Sequence, residues 1–432
     1  MKRIAIIGNG ITGITAARHI RKNSDDEIHV ISSETMHFFA RTALMYIYMG
    51  HMRYRDTKPY EDWFWKKNRI NLIHKHVQRV DTGNDQLIFT DGSNFSYDRL
   101  IIASGSLPNK FGWPGQDLDG VTGFYSYQDL ERVEKYTQKI NHAVIVGGGL
   151  IGVELAEMLH SREVPVTMLV REDRYWGNVL PKEEAGLIQR EIKANHINLR
   201  LNTGLKEIIP DENNRVKAVL TGNDETIPCQ FVGLATGVHP NIKFLEDSGI
   251  ETDKGVLVDS YLRTNIENVY AAGDCAQFRD PPPGRKALEQ VWYTGRMQAE
   301  CLAHTIAGNP IKYRPGVWFN SAKFFNIEYQ TYGMVPNQPE EGQDQFYWES
   351  EKGDQCLKIV FDKHDQSIKG INAFGLRLRQ EICENWINRK ISVQAAVNEF
   401  EKAAFDPEFH PKVYKKIRRA FQQKVSAGEV VI

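Results

Sequence analysis

Two glycine-rich turns of one design, about a third of the chain apart, constrain this sequence more than anything else in it. The first, Gly8-Asn9-Gly10-Ile11-Thr12-Gly13, directly follows the apolar run Ile4-Ala5-Ile6-Ile7. The second, Gly147-Gly148-Gly149-Leu150-Ile151-Gly152, directly follows Ala143-Val144-Ile145-Val146. Each reads as buried strand, tight turn and helix. A helix start offers unpaired N–H groups and a partial positive charge to a pyrophosphate. In such a turn the first glycine reverses the chain and the second lets the backbone approach the phosphates. The third lets helix and strand pack closely. One turn of this kind is weak evidence, because Gly-rich turns are common. Two in the same context imply two dinucleotides, and a protein holding two usually moves a hydride between them.

At 432 residues the chain should divide into two or three domains with sizeable cores. Its mean hydropathy of -0.45 predicts a soluble globular protein. No apolar run approaches the roughly 18 residues of a membrane span. The run at residues 4–7 is too short for a signal-peptide core and belongs to the first strand. A net charge of -1 gives no overall field to attract nucleic acid. The five cysteines (Cys229, Cys275, Cys301, Cys356, Cys383) are scattered, odd in number and without a CxxC. That usage fits a reducing cytoplasm rather than a disulfide scaffold, and no metal-ligand spacing stands out.

Around the first turn, Ile14–Lys22 reads as a helix and Glu27–Ile31 as a strand. Glu34 lies about 20 residues past the glycines, where an acid hydrogen-bonds the adenosine ribose; the plainer reading is an exposed loop carboxylate. Around the second turn, helix Ile151–Ser161 and strand Val166–Val170 repeat the pattern. The end of that second strand sets specificity, because NAD sites carry Asp or Glu there and NADP sites Arg. The residues present are Arg171-Glu172-Asp173-Arg174. An arginine fork suits a 2′-phosphate dianion, which favours NADPH. Glu172 and Asp173 keep NADH open, since either could take the ribose or neutralise the arginines.

Three further segments carry a family resemblance. Tyr97-Asp98-Arg99-Leu100-Ile101-Ile102-Ala103-Ser104-Gly105-Ser106-Leu107-Pro108 is similar to a YDxLxIATGSxP segment. Tyr270-Ala271-Ala272-Gly273-Asp274-Cys275-Ala276 is similar to YAxGD, and Phe39-Ala40-Arg41-Thr42-Ala43-Leu44 to YxRxxL. In this order along one chain they resemble the flavoprotein pyridine nucleotide-disulfide oxidoreductase superfamily. The likeness is nearest to its ferredoxin- and rubredoxin-reductase branch and covers about residues 1–330. It implies FAD on Gly8, Gly10, Gly13, Glu34, Arg41, Ala103, Gly105, Gly273 and Asp274. Asp274 would hold the ribityl chain, with the helix after it aimed at the flavin; on its own, Asp274 reads as an N-cap before Ala276. The resemblance further implies NADPH or NADH on Gly147, Gly149, Gly152, Arg171 and Arg174. Glu154, from GxGxxGxE, would orient the nicotinamide beside the flavin edge. The branch often places a lysine where this chain has Tyr46, which leaves Arg41 as the partner for Glu154, or none.

The implied fold is α/β, with two Rossmann-like, glutathione-reductase-like domains and a C-terminal α+β interface domain. The FAD domain would span 1–112 and 250–311, the NAD(P)H domain 113–249 and the interface domain 312–432. Disulfide reductases of the superfamily carry a cysteine pair shortly after the ribose acid, and its peroxidases and oxidases a single one. Residues 35–60 here contain none, so thiolate chemistry is not expected.

Further on, Trp318-Phe319-Asn320-Ser321 resembles the segment that opens the branch's third domain, where an aromatic covers one flavin face. Cys356–Phe361 and Ile368–Phe374 read as a hairpin, with helices at Leu376–Arg389 and Ser392–Lys402. His410-Pro411 is similar to the His-Pro of dimeric disulfide reductases, but it has no thiol to serve; a homodimer stays open. Lys412–Lys424 is basic, with an apolar stripe of Val413, Ile417, Ala420 and Phe421. Such a helix can dock an acidic carrier or an anionic membrane surface, or simply end the chain with a solvated face. The expected activity is transfer of a hydride from NAD(P)H to FAD and of single electrons to a small ferredoxin- or rubredoxin-like protein. Alternatives are an oxidase or diaphorase using oxygen or quinone, and a nucleotide-sensing flavoprotein similar to apoptosis-inducing factor.

Overall fold

The computed structural model describes residues 1–405 and 413–430 and divides the chain into two compact units. The first comprises Met1–Phe111, Thr122–Gln138 and Thr236–Pro315; the second comprises Gly112–Val121, Lys139–Ala235 and Gly316–Ile432.

The first unit is built on a five-stranded parallel sheet. In spatial order its strands are Val269–Ala271, Arg99–Ile102, Arg3–Ile7, Glu27–Ser32 and Ile70–His74. Its central strands are apolar and buried, as expected of a parallel sheet covered on both faces. The helix Ile11–Asn23 packs against the helix Trp292–Ile306 with very little clearance. A Cβ at Gly295 would lie 2.5 Å from Thr12 Oγ1, and one at Gly273 only 2.4 Å from the same atom.

The second unit repeats the motif with parallel strands Asn198–Arg200, Val166–Leu169, Ala143–Val146 and Phe231–Leu234 in that order. It also contains an antiparallel sheet ordered Phe319–Phe324, Ile327–Gly333, Ile368–Phe374, Cys356–Asp362, Gln343–Glu349. The hairpin foreseen at 356–374 forms its centre. Polar groups are buried on the helix Lys182–Ala194 and this sheet alongside apolar ones. Lys358, 1% exposed, donates to Glu183 Oε2 at 3.0 Å and to Gln345 Oε1 at 3.2 Å. Glu184 is fully buried, and desolvation pushes its carboxyl up to about 7 against the pull of Lys358.

The compact units differ from the expected domain spans in several places. The helix Tyr127–Tyr136, expected in the nucleotide domain after residue 113, belongs to the first unit. Ser126 caps it, Glu34 Oε1 accepts the N–H of Tyr127 at 2.8 Å, and the Tyr48 hydroxyl meets Thr137 Oγ1 at 2.7 Å. These long-range polar ties carry no sequence periodicity. Residues 236–249 also belong to the first unit, where Val238–Pro240 pairs with Ser106–Pro108. The C-terminal sheet forms a separate domain, grouped with the second nucleotide sheet in the second unit.

Asp274 does not cap a helix either. A short 3-10 turn at Gly273–Cys275 runs into the strand Ala276–Phe278, and the next helix starts at Trp292. The terminal helix runs Tyr414–Ser426 with Ile417 and Phe421 buried, matching the apolar stripe. His410 and Lys412 lie outside the described residues.

Candidate nucleotide-binding and redox sites

In the first turn each glycine has a distinct physical reason. Gly8 has φ +108°, and a Cβ there would lie 2.1 Å from the Ala103 carbonyl oxygen. At Gly13 a Cβ would lie 1.9 Å from the Gly8 carbonyl oxygen, so helix and strand touch backbone to backbone. Around Gly10 nothing lies within 4 Å of that position, which leaves the helix N-terminus open to a phosphate. Ala103 N–H donates to Ile7 O at 2.8 Å, bringing the Ala103–Gly105 segment beside this turn.

A continuous polar chain runs from there. Gln290 Nε2 donates to Ser106 Oγ at 2.7 Å, and Ser106 Oγ donates to Asp274 Oδ2 at 3.1 Å. The Tyr125 hydroxyl accepts the Ser106 N–H at 3.2 Å, and burial beside Asp274 pushes this phenol up to about 12. Asp274 is itself raised by burial, with the Ser106 bond and the Arg41 charge pulling the other way. The Arg41 guanidinium lies 4.5 Å from the Tyr125 ring centroid and donates to the Tyr125 carbonyl at 2.6 Å. It also grips both Glu34 oxygens, at 2.8 and 2.6 Å.

Glu34 is therefore not an exposed loop carboxylate but a half-buried, paired one. Arg41 and the Tyr127 N–H engage its carboxylate, and Gln128 Nε2 bonds its main-chain oxygen at 2.8 Å. Gly10, Gly13, Ala103, Gly105, Gly273, Asp274, Arg41 and Glu34 all fall in the first unit. Sequence reasoning missed Tyr125, Ser106 and Gln290. Ser106 lay inside a quoted motif, but Tyr125 and Gln290 carried no local signal. An open helix N-terminus lined by this buried polar chain suits a dinucleotide with a polyol arm, which is what FAD presents.

The second turn repeats the logic: Gly147 has φ +120°, and a Cβ at Gly152 would lie 2.4 Å from Gly147 O. Around Gly149 the space is open. Glu154 follows on the same helix. Among the described residues it has no hydrogen-bond or ion-pair partner, and desolvation, helped by Glu157, pushes it up to about 7. Glu157 is held by Lys323 at 2.6 Å. Arg41, the partner suggested for Glu154, is committed to Glu34 in the first unit.

The two specificity arginines separate. Arg171 is 84% exposed and pairs with Glu172 at 3.1 Å. Arg174 folds back to donate to the Gly177 carbonyl at 3.1 Å, so it presents no free fork. Trp318 lies in the second unit, where its carbonyl accepts the Gly333 N–H at 2.7 Å.

All five cysteines are free and buried. Burial pushes the Cys229 thiol up to about 12 and Cys301 up to about 11, and raises Cys275, Cys356 and Cys383 as well. Thiols so disfavoured as thiolates do not relay electrons. Among the described residues no group of His, Cys, Asp and Glu could hold a metal. No described helix is long and apolar enough to cross a membrane.

Paired Rossmann-like cradles and buried, inert thiols define a two-nucleotide oxidoreductase that works without a disulfide relay. The chain belongs to the pyridine nucleotide-disulphide oxidoreductase family, whose profile matches residues 2–299. It is an FAD-dependent NAD(P)H oxidoreductase.

Nitrite reductase [NAD(P)H] of Bacillus subtilis (strain 168) is 30% identical over 283 residues. That match covers 64% of this chain but 35% of the longer relative. Rhodocoxin reductase of Rhodococcus erythropolis is 29% identical over 328 residues, 74% of this chain and 76% of its own length. Among solved structures, a NAD-dependent persulfide reductase from A. fulgidus superposes with a TM-score of 0.86 at 22% identity, covering 98% of this chain and 84% of that one.

Proposed function

We propose that this enzyme takes a hydride from NADPH or NADH and delivers electrons one at a time to a small redox protein of the ferredoxin or rubredoxin kind. The observation that carries this reading is the state of the thiols. None lies in residues 35–60, and all five elsewhere are buried. Electrons must therefore leave without a sulfur intermediate. FAD, when bound, accepts the two electrons of a hydride and can release them singly.

The chain's own residues do the rest. Gly10 and the open start of the Ile11–Asn23 helix receive a pyrophosphate, and Asp274, backed by Ser106 and Gln290, receives ribityl hydroxyls. The Arg41–Glu34 clip fixes the neighbouring loop against the Tyr127–Tyr136 helix. Gly149 and the start of the Leu150–His160 helix receive the second pyrophosphate. Glu154, without a partner among the described residues, accepts a hydrogen bond from the carboxamide of a nicotinamide. A relative named rhodocoxin reductase supports a protein acceptor.

Docking falls to the terminal helix, whose Lys415, Lys416 and Arg419 are exposed with no acid among them. Arg418 is excluded, because it bonds the Asn398 carbonyl.

Stopped-flow mixing of the FAD-loaded protein with NADPH or NADH, then with ferredoxin, rubredoxin, a quinone or oxygen, tests the proposal. Fast flavin reduction is expected, followed by carrier reduction far faster than reoxidation by air, both indifferent to a thiol-alkylating reagent. Reoxidation fastest with oxygen or quinone would replace the carrier by a diaphorase or oxidase activity.

A further inference from the structure

The loop after the second strand of the second unit is held in an unusual way. Trp176 sits at φ +49°, a left-handed conformation that is a genuine outlier for a bulky residue. Such backbone persists only where the surroundings over-determine it, and here they do. The Trp176 ring lies 5.8 Å from Phe324 and 6.2 Å from Tyr329, both on the antiparallel sheet. Its neighbour Tyr175 meets Phe324 edge-on at 6.1 Å. Asn337 Nδ2 donates to the Gly177 carbonyl at 2.7 Å, beside the Arg174 contact with the same oxygen. The Tyr175 hydroxyl turns the other way, donating to the Gly149 carbonyl at 3.0 Å. Gly149 is the N-cap of the Leu150–His160 helix, the open corner of the second cradle.

We infer that residues 171–180 form a strap by which the C-terminal sheet sets the position of the second nucleotide cradle, with Tyr175 and Trp176 as its positioning residues. The inference rests on the reading that NAD(P)H occupies the Gly147–Gly152 turn. The strap carries Arg171, Glu172 and Arg174, the side chains at the strand end that distinguishes NADPH from NADH. Trp176 therefore holds those side chains in place without touching the nucleotide. Tyr175 holds the phosphate corner from the opposite side. Its ring is fully buried, so its phenol can exchange one partner for another only by breaking the bond to Gly149.

Equilibrium titration of the FAD-loaded protein with NADP+ and NAD+, together with steady-state kinetics, tests the strap in Tyr175→Phe and Trp176→Leu. Tyr175→Phe keeps the ring and deletes one hydrogen bond, so both dissociation constants should rise about fivefold with their ratio unchanged. Trp176→Leu should weaken binding on the order of tenfold and shift the NADP+ to NAD+ ratio, because the strand-end side chains move. In both variants KM should rise while the flavin reduction rate at saturation and the flavin absorbance stay at the parent's. A merely structural role would instead lower thermal stability and flavin content. If Trp176→Leu does not fold, Tyr175→Phe decides alone. Parental dissociation constants in Tyr175→Phe would overturn the strap. A parent protein that binds neither dinucleotide, or one whose binding survives Gly149→Val, overturns the underlying reading, and the strap with it.

Discussion

The two glycine cradles share a plan and differ in what surrounds them. In the first, every charged group is committed: Glu34 to Arg41 and a helix N–H, Asp274 to Ser106, and Ser106 to Gln290. In the second, Glu154 has no partner among the described residues, Arg171 is exposed, and one buried tyrosine fixes the corner. A cradle whose polar groups are preassembled loses little ordering entropy on binding and holds its ligand long. A cradle with an unpaired carboxylate and an exposed arginine suits a ligand that must leave every turnover. The difference is the one expected between a resident cofactor and a substrate.

The sharpest way to break this comparison is to fill each open corner. Gly10→Val and Gly149→Val put side chains where nothing lies within 4 Å, so both proteins should fold. Gly10→Val should abolish retention of flavin, read as loss of visible absorbance. Gly149→Val should keep the flavin and abolish its reduction by NAD(P)H. The opposite pattern would exchange the two assignments.

Next in size is a stability difference tied to the second unit. Glu184, ordinarily near 4.5, is raised to about 7 in the folded protein. Below its unfolded value both states are protonated and the group is neutral in effect. As pH rises from about 4.5 to 7 the unfolded state ionises first, and stability falls by about 2–3 kcal/mol before levelling. Denaturant titrations at pH 5 and pH 8 should show this loss, and Glu184→Gln should remove most of it. An unchanged slope with pH in that variant would place the dependence elsewhere.

Arg41→Gln should destabilise the first unit by about 2 kcal/mol. That is less than a fully buried pair would cost, because the guanidinium is 30% exposed. It should also loosen FAD, measured by flavin fluorescence released on dilution. A smaller effect belongs to Glu154. Its carboxyl is half ionised near pH 7, so NAD(P)H affinity should tighten severalfold as pH rises from 6 to 8. Glu154→Gln should flatten that profile. The smallest concerns Lys415, Lys416 and Arg419. Changing all three to Gln should slow carrier reduction a fewfold at low salt, converge with the parent at high salt, and leave flavin reduction untouched.

Much of this was legible in the sequence because it is written locally. Strand, turn and helix around Gly8 and Gly147 follow from a four-residue apolar run and glycine spacing, and the buried stripe Ile417/Phe421 from helical period. What escaped was non-local. Tyr125 joins Asp274 and Arg41 across more than eighty residues in each direction, and no periodicity announces it. Glu34 stood at the expected offset, yet its role depends on a helix that begins near residue 127. The grouping of the Tyr127–Tyr136 helix with the first unit escaped for the same reason, since it follows from the side chains that reach it. A sequence likewise cannot show the Arg174 guanidinium turning back onto the Gly177 carbonyl.

The burial of all five thiols reaches beyond catalysis. An enzyme whose native thiols are shielded offers a silent background for thiol attachment chemistry. A cysteine placed at exposed Trp63 or Phe405 would be the accessible thiol among the described residues. A spin label, dye or electrode tether could then be coupled there without protecting anything else. Electrons leaving this flavoprotein could be wired to a surface through one chosen point, with the protein's own sulfur chemistry playing no part.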